Sequence, residues 1–111
     1  MVDRSVVKAV QSYLHALQAH GFPVKFGVVF GSQATGKADH WSDIDLLVVS
    51  PRFDGDVAWS DMDALMRLAA RVDSRIEPIP CGESQWREDN RSAIVEIARR
   101  EGERILLPEV A

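Results

Sequence analysis

Two aspartates separated by one residue, Asp43 and Asp45, open the apolar run Ile44 to Val49, and a glycine-serine pair, Gly31-Ser32, closes the apolar run before it. Residues i and i+2 of a strand project to one face about 6 to 7 Å apart. The two carboxylates can therefore close on one or two divalent cations while Ile44 and Leu46 face the opposite layer. Two acids on one face of a buried strand are costly without a cation. Gly31-Ser32 falls where a strand hands over to a helix, and there the leading backbone amides and the positive helix end favour a phosphate. Glycine at 31 lets that phosphate come close, the Ser32 hydroxyl can donate to it, and Gly36 removes a side chain where backbone or nucleotide must pass. A phosphate cradle beside paired carboxylates is the equipment of phosphoryl transfer by positioning and charge neutralisation.

A third acid would complete a metal shell or take a proton from the attacking hydroxyl, and Glu77 is the candidate, in a later strand whose crossover can set it beside Asp43 and Asp45. Lys37 and Arg52 stand next to the motif and could reach a phosphate. Each element also has a plain reading. The aspartate pair alone reads as a solvated strand end, Gly31 to Gly36 alone as a turn, Glu77 as an edge-strand residue paired with Arg75, and the two cations as ordinary surface charges. The chemistry rests on the coincidence of both motifs.

The elements that must position these residues follow from periodicity. Val6, Val7, Val10, Leu14 and Leu17 recur at helical spacing between a capping Asp3 and a terminating Gly21. Val24 to Phe30 reads as a buried strand, Gln33 to Lys37 as a short helical turn, and Ile44 to Val49 as the central strand. Asp56 is a candidate cap for a helix carrying Trp59, Met62, Leu65, Met66, Leu68, Ala69 and Val72. Arg75 to Ile79 is a short strand, placed at a sheet edge because Pro78 cannot donate to a ladder. Asn90 can cap a last helix, Arg91 to Glu101, with Ile94, Ile97 and Ala98 inward, and Ile105 to Leu107 forms a further strand or packs on the core. The alternation predicts an α/β fold, a two-layer arrangement with a small mixed β-sheet packed with helices.

At 111 residues and 46% hydrophobic content the chain is expected to be one domain, spanning 1–111, with one core and no room for a second, substrate-binding domain. A formal charge of −4 argues against a stand-alone nucleic-acid binder, which needs a basic patch. The lone Cys81 excludes an internal disulfide, and it reads as an inert loop thiol. No leader or membrane-spanning run is evident, so cytoplasmic residence is the expectation. His15, His20 and His40 read as surface residues. Trp41, Trp59 and Trp86 read as packing or partner contacts, with Trp41 close enough to the motif to serve as a lid.

The pattern G-S-x-x-x-G, a spacer, S-D-x-D-L and a later acid in a strand resembles the nucleotidyltransferase superfamily that includes DNA polymerase beta, and the length resembles its minimal branch. The likeness runs from about Phe26 to Ile79 and extends to the helix-glycine-apolar ending. By that resemblance Gly31 and Ser32 hold the nucleotide phosphates, with Gly36 and Lys37 beside them, and Asp43, Asp45 and Glu77 bind Mg2+. It implies transfer of a nucleoside monophosphate, AMP from ATP, to a hydroxyl on a partner protein. The partner implied is a small helical HEPN-type toxin for which such proteins act as antitoxins, and a homo-oligomer is compatible with it. Two positions depart from the branch: many members carry arginine where this chain has Thr35, and the third acid is often Asp. These keep open a binding module that neutralises its partner by contact alone. Antibiotic nucleotidyl transfer ranks last, since it needs a further substrate-binding surface.

Overall fold

The computed structural model describes residues 2–39, 41–88 and 92–107. Its elements are α1 (Arg4–Ala19), β1 (Phe26–Phe30), α2 (Ser32–Thr35), β2 (Ile44–Ser50), a 3-10 turn (Pro51–Phe53), α3 (Trp59–Val72), β3 (Ile76–Gly82), α4 (Glu83–Glu88), α5 (Ala93–Glu101) and β4 (Glu103–Ile105). In β2 every residue except Asp45 is buried. A run that is apolar on both faces belongs in the middle of a sheet covered on both sides, and β2 lies between β1 and β3 in the order β3-β2-β1-β4.

β1 runs antiparallel to both β2 and β4, while β3 runs parallel to β2. A parallel neighbour needs a crossover, which α3 supplies. β3 is an edge strand, and Pro78 and Pro80 sit there because their missing amides cost nothing on the unpaired side.

Alternation along the strands divides the core. Ile44, Leu46 and Val48 of β2 join Val6, Val10, Tyr13, Leu14 and Leu17 of α1 and Leu65 and Ala69 of α3. Leu47 and Val49 face the other way, with Val28, Phe30, Cys81 and the α5 residues Val95 and Ala98, and Trp86 of α4 packs against them. A buried hydrogen bond from the Tyr13 hydroxyl to the Leu65 carbonyl, 2.9 Å, ties α1 to α3.

Several expectations change here. The Asp3 cap holds, its carboxylate accepting from the Ser5 amide at 2.8 Å. Asp56 caps nothing: α3 begins after Ala58, which makes no side-chain cap. In α5 Ala98 is buried and Ile97 packs inward as expected, with Val95 buried beside them, whereas Ile94 is 44% exposed; the helix is capped by Ser92, whose hydroxyl accepts from the Val95 amide. The proposed Asn90 cap and the Arg91 start lie outside the described residues, as does His40. Helix α4 was not anticipated, since six residues offer too little periodicity to read. Cys81 is a buried strand residue rather than a loop thiol. Among the described residues no helix is long and apolar enough to cross a membrane.

Candidate active site

β1 ends at Phe30, whose register partner on β2 is Asp45, and Asp45 in turn lies level with Glu77 on β3. Three elements therefore bring three chemical groups to one end of the sheet: the Gly31 bend, the aspartates at the start of β2, and Glu77 near the start of β3. Ile44 and Leu46 point into the α1/α3 core, so Asp45 and Glu77 occupy the opposite face, as two-residue alternation requires. The face is filled farther along by Leu47, Val49 and Cys81, and the acids sit beyond that apolar cover. Asp43 and Glu77 are exposed and Asp45 is half-buried.

The carboxylates shift one another's proton affinity. Asp45 has its proton affinity raised, first by burial and then by the negative charge of Asp43, with a hydrogen bond from Glu77 acting in the opposite direction. Glu77 is raised as well, first by the charge of Asp43, then by desolvation and by the charge of Asp45, and its carboxyl is in hydrogen-bonding reach of both. Like charges held this close raise one another's affinity for any cation. Among the described residues no three His, Cys, Asp or Glu side chains are already spaced around a metal ion. The carboxylates lie close enough to shift one another's proton affinity, and the exposed Asp43 and Glu77 can turn without disturbing the core. Three hard oxygen donors of this kind suit magnesium, which is held through one or two carboxylates together with substrate phosphates.

The bend is shaped around the same acid. Gly31 has φ 74° and ψ −149°, a region essentially confined to glycine, and a Cβ there would lie 2.5 Å from Asp45 Oδ2. Backbone and carboxylate are thus nearly in contact. In α2 the ladder begins with the Ala34 and Thr35 amides, which both donate to the Gly31 carbonyl. The Ser32 and Gln33 amides precede it, in the position of a helix's leading donors. Gly36 closes α2 in the left-handed conformation, φ 77°, and the Lys37 amide donates to the Ser32 carbonyl at 3.2 Å. The Lys37 side chain is exposed.

Two positioning residues escaped the sequence reading. Gln33 is buried and donates from Nε2 to the Ser42 carbonyl at 3.2 Å, tying the bend to the residue before Asp43. Asp39 accepts from the Trp41 amide at 2.9 Å and from the Ser42 hydroxyl at 3.2 Å, which sets the approach to β2. A buried glutamine within a glycine-bounded segment and an aspartate three residues before a serine were the available signals. Trp41 itself is 84% exposed.

Arg52 is a correction. It lies past the C-terminal end of β2, the opposite end from Asp43, and its guanidinium is engaged by Asp61 at 2.9 and 3.1 Å and by the Phe22 ring. A phosphate at the bend is out of its reach. Arg75 pairs with Asp73, 2.8 Å, so the alternative partner considered for Glu77 is taken. Thr35 turns its hydroxyl back to the Gly31 carbonyl, 3.3 Å.

The sequence matches the family model described as nucleotidyltransferase domain over residues 13–105. This chain belongs to that family. The solved structures agree on the fold of this nucleotidyltransferase domain. A toxin-antitoxin crystallised with AMP-PNP is similar at a TM-score of 0.58 and 19% identity, covering 89% of this chain and 74% of that one. A toxin-antitoxin MntA-HpeT in mutant form is similar at 0.56 and 16%, with the same coverage. A putative nucleotidyltransferase from Sulfolobus solfataricus is similar at 0.54 and 21%, covering 71% and 68%. No protein of curated function matches the sequence.

Proposed function

We propose that this nucleotidyltransferase domain moves AMP from ATP to a hydroxyl on a partner protein and releases pyrophosphate, and that the partner is a HEPN-type toxin which the transfer silences. The observation that carries the reading is the meeting of Asp43, Asp45 and Glu77 at one end of the sheet, against the Gly31 bend. Two of the similar structures are toxin-antitoxin assemblies, one with AMP-PNP, which supports an ATP-like donor and a protein acceptor.

In this reading the Gly31-Ser32 backbone and the Ser32 hydroxyl hold the β- and γ-phosphates, and the absence of a side chain at 31 lets them lie against Asp45. Asp43, Asp45 and Glu77 would hold Mg2+, which when bound supplies neutralisation of the charge developing on the transferred group and on pyrophosphate. The acceptor oxygen forms a bond to the α-phosphorus as the bond to the pyrophosphate oxygen breaks. Where Glu77 serves as the base rather than completing the metal shell, the acceptor's proton passes to its carboxylate oxygen.

A second reading keeps the fold without the transfer, a module that silences its partner by covering it. Thr35 favours it, since its hydroxyl is spent on the Gly31 carbonyl and carries no charge to offer a phosphate. One assay separates the two: labelled ATP, magnesium and the co-encoded partner, with Asp43→Ala/Asp45→Ala beside the parent. Label on the partner that disappears in the double variant establishes transfer. Neutralisation that survives the double variant, without label, establishes the covering module.

A further inference from the structure

The outer face of α3 carries the two exposed apolar residues Trp59 and Met66, 86% and 52% exposed, and with Met62, Ser60 and Asp63 they line a mainly apolar cavity of about 490 Å3. Along the helix Trp59, Asp63, Met66 and Ala70 are all exposed and recur at intervals of four, three and four, the seam spacing of paired helices. Asp61, Leu65 and Ala69 are the buried residues, so the seam points away from the sheet. Two large exposed apolar residues, Trp59 and Met66, one heptad apart on that seam mark a contact.

We propose that this seam docks on the same seam of a second copy of the chain, the two α3 helices running antiparallel about a two-fold axis between Ala64 and Leu65. A two-fold interface demands a surface complementary to itself, and α3 is so in size and in charge. Reversing the helix about that axis sets bulky Trp59 against small Ala70 of the second copy at each end. It sets Asp63 beside Met66 and Arg67 of the second copy near the middle. Asp63 and Arg67 now pair within one helix, both more than half exposed. A solvated pair of that kind contributes little and exchanges partners readily. Arg71, also exposed, comes beside the Trp59 ring of the other copy, where a guanidinium is favoured.

The size of the seam sets the strength. Fourteen helical residues span about 21 Å, and one helix pair buries less than the roughly 800 Å2 per partner of a stable interface. The dissociation constant is therefore expected on the order of 10–100 µM.

Sedimentation velocity on the full chain from about 5 to about 500 µM brackets that constant, and the parent is expected to pass from monomer to dimer across it. Trp59→Ala removes the dimer. Asp63→Arg and Arg67→Asp each place like charges across the axis and leave each variant monomeric alone, whereas a mixture of the two forms a one-to-one heterodimer, since opposite charges then meet at both positions. All three positions are exposed, and an unchanged circular dichroism spectrum shows that the variants fold. A parent that stays monomeric throughout overturns the proposal and leaves the seam to a different protein. So does a dimer that survives Trp59→Ala, or a mixture of the two charge variants that stays monomeric.

Discussion

A Cβ on Gly31 would stand 2.5 Å from Asp45 Oδ2, so the glycine bend and the central carboxylate are fitted to each other across two antiparallel strands. Gly31→Ala meets both this contact and a backbone region that disfavours side chains. The expected cost is about 1–3 kcal/mol of stability, together with loss of transfer as Asp45 is pushed aside. Gly55→Ala is the comparison. It has a positive φ, 77°, but nothing lies within 4 Å of its Cβ position, so about 1–2 kcal/mol is lost while transfer by the folded protein is kept. Thermal unfolding and the labelling assay read both.

Removing one acid is expected to stabilise the metal-free protein at neutral pH. Asp45 and Glu77 both have folded proton affinities above their ordinary values of 3.8 and 4.5. The favourable contribution of the protonated groups is therefore complete below those values and disappears as pH rises through the raised folded ones. Above that window the ionised trio repels itself. Glu77→Gln should raise the urea midpoint at pH 7, and the gain should vanish on acidification below about pH 4. A gain independent of pH would show that charge is not its cause.

Magnesium should reverse the sign. At a hundred times its dissociation constant a cation bound only by the folded state adds about 2.7 kcal/mol, so the melting temperature of the parent rises with added Mg2+. Asp45→Asn should lose that rise. The same titration followed against pH should show weaker binding as acid protonates Asp45 and Glu77.

At the far end of β2, Arg52 and Asp61 join the 3-10 turn to α3 with two hydrogen bonds, 2.9 and 3.1 Å. Arg52→Ala leaves a mostly buried carboxylate without its counter-charge. The expected outcome is a lower melting temperature with unchanged transfer per folded molecule, since neither residue is near the bend.

Tyr13 tests the α1/α3 junction. Its hydroxyl is buried and bonded to the Leu65 carbonyl, 2.9 Å, and burial raises its proton affinity. Tyr13→Phe removes one neutral hydrogen bond and should cost about 0.5–1.5 kcal/mol, read from the urea midpoint.

The sequence by itself determined the local geometry. A strand points alternate residues to opposite faces whatever surrounds it, so Asp43 and Asp45 on one face with Ile44 and Leu46 on the other were legible before any fold was known. The Gly31-Ser32 bend, the Asp3 cap and the edge position of Pro78 rest equally on single-residue stereochemistry. Tertiary structure alone decided the rest, because strand pairing and helix rotation depend on residues distant in the chain. The parallel register of β2 and β3 brings Glu77 level with Asp45. The packing of α5 on the sheet turns Val95 inward and Ile94 outward. The Asp61 carboxylate diverts Arg52 from the motif beside it in sequence. Periodicity states that a helix has an apolar side, but only the packed neighbours show which apolar residues it leaves facing water, as α3 leaves Trp59 and Met66.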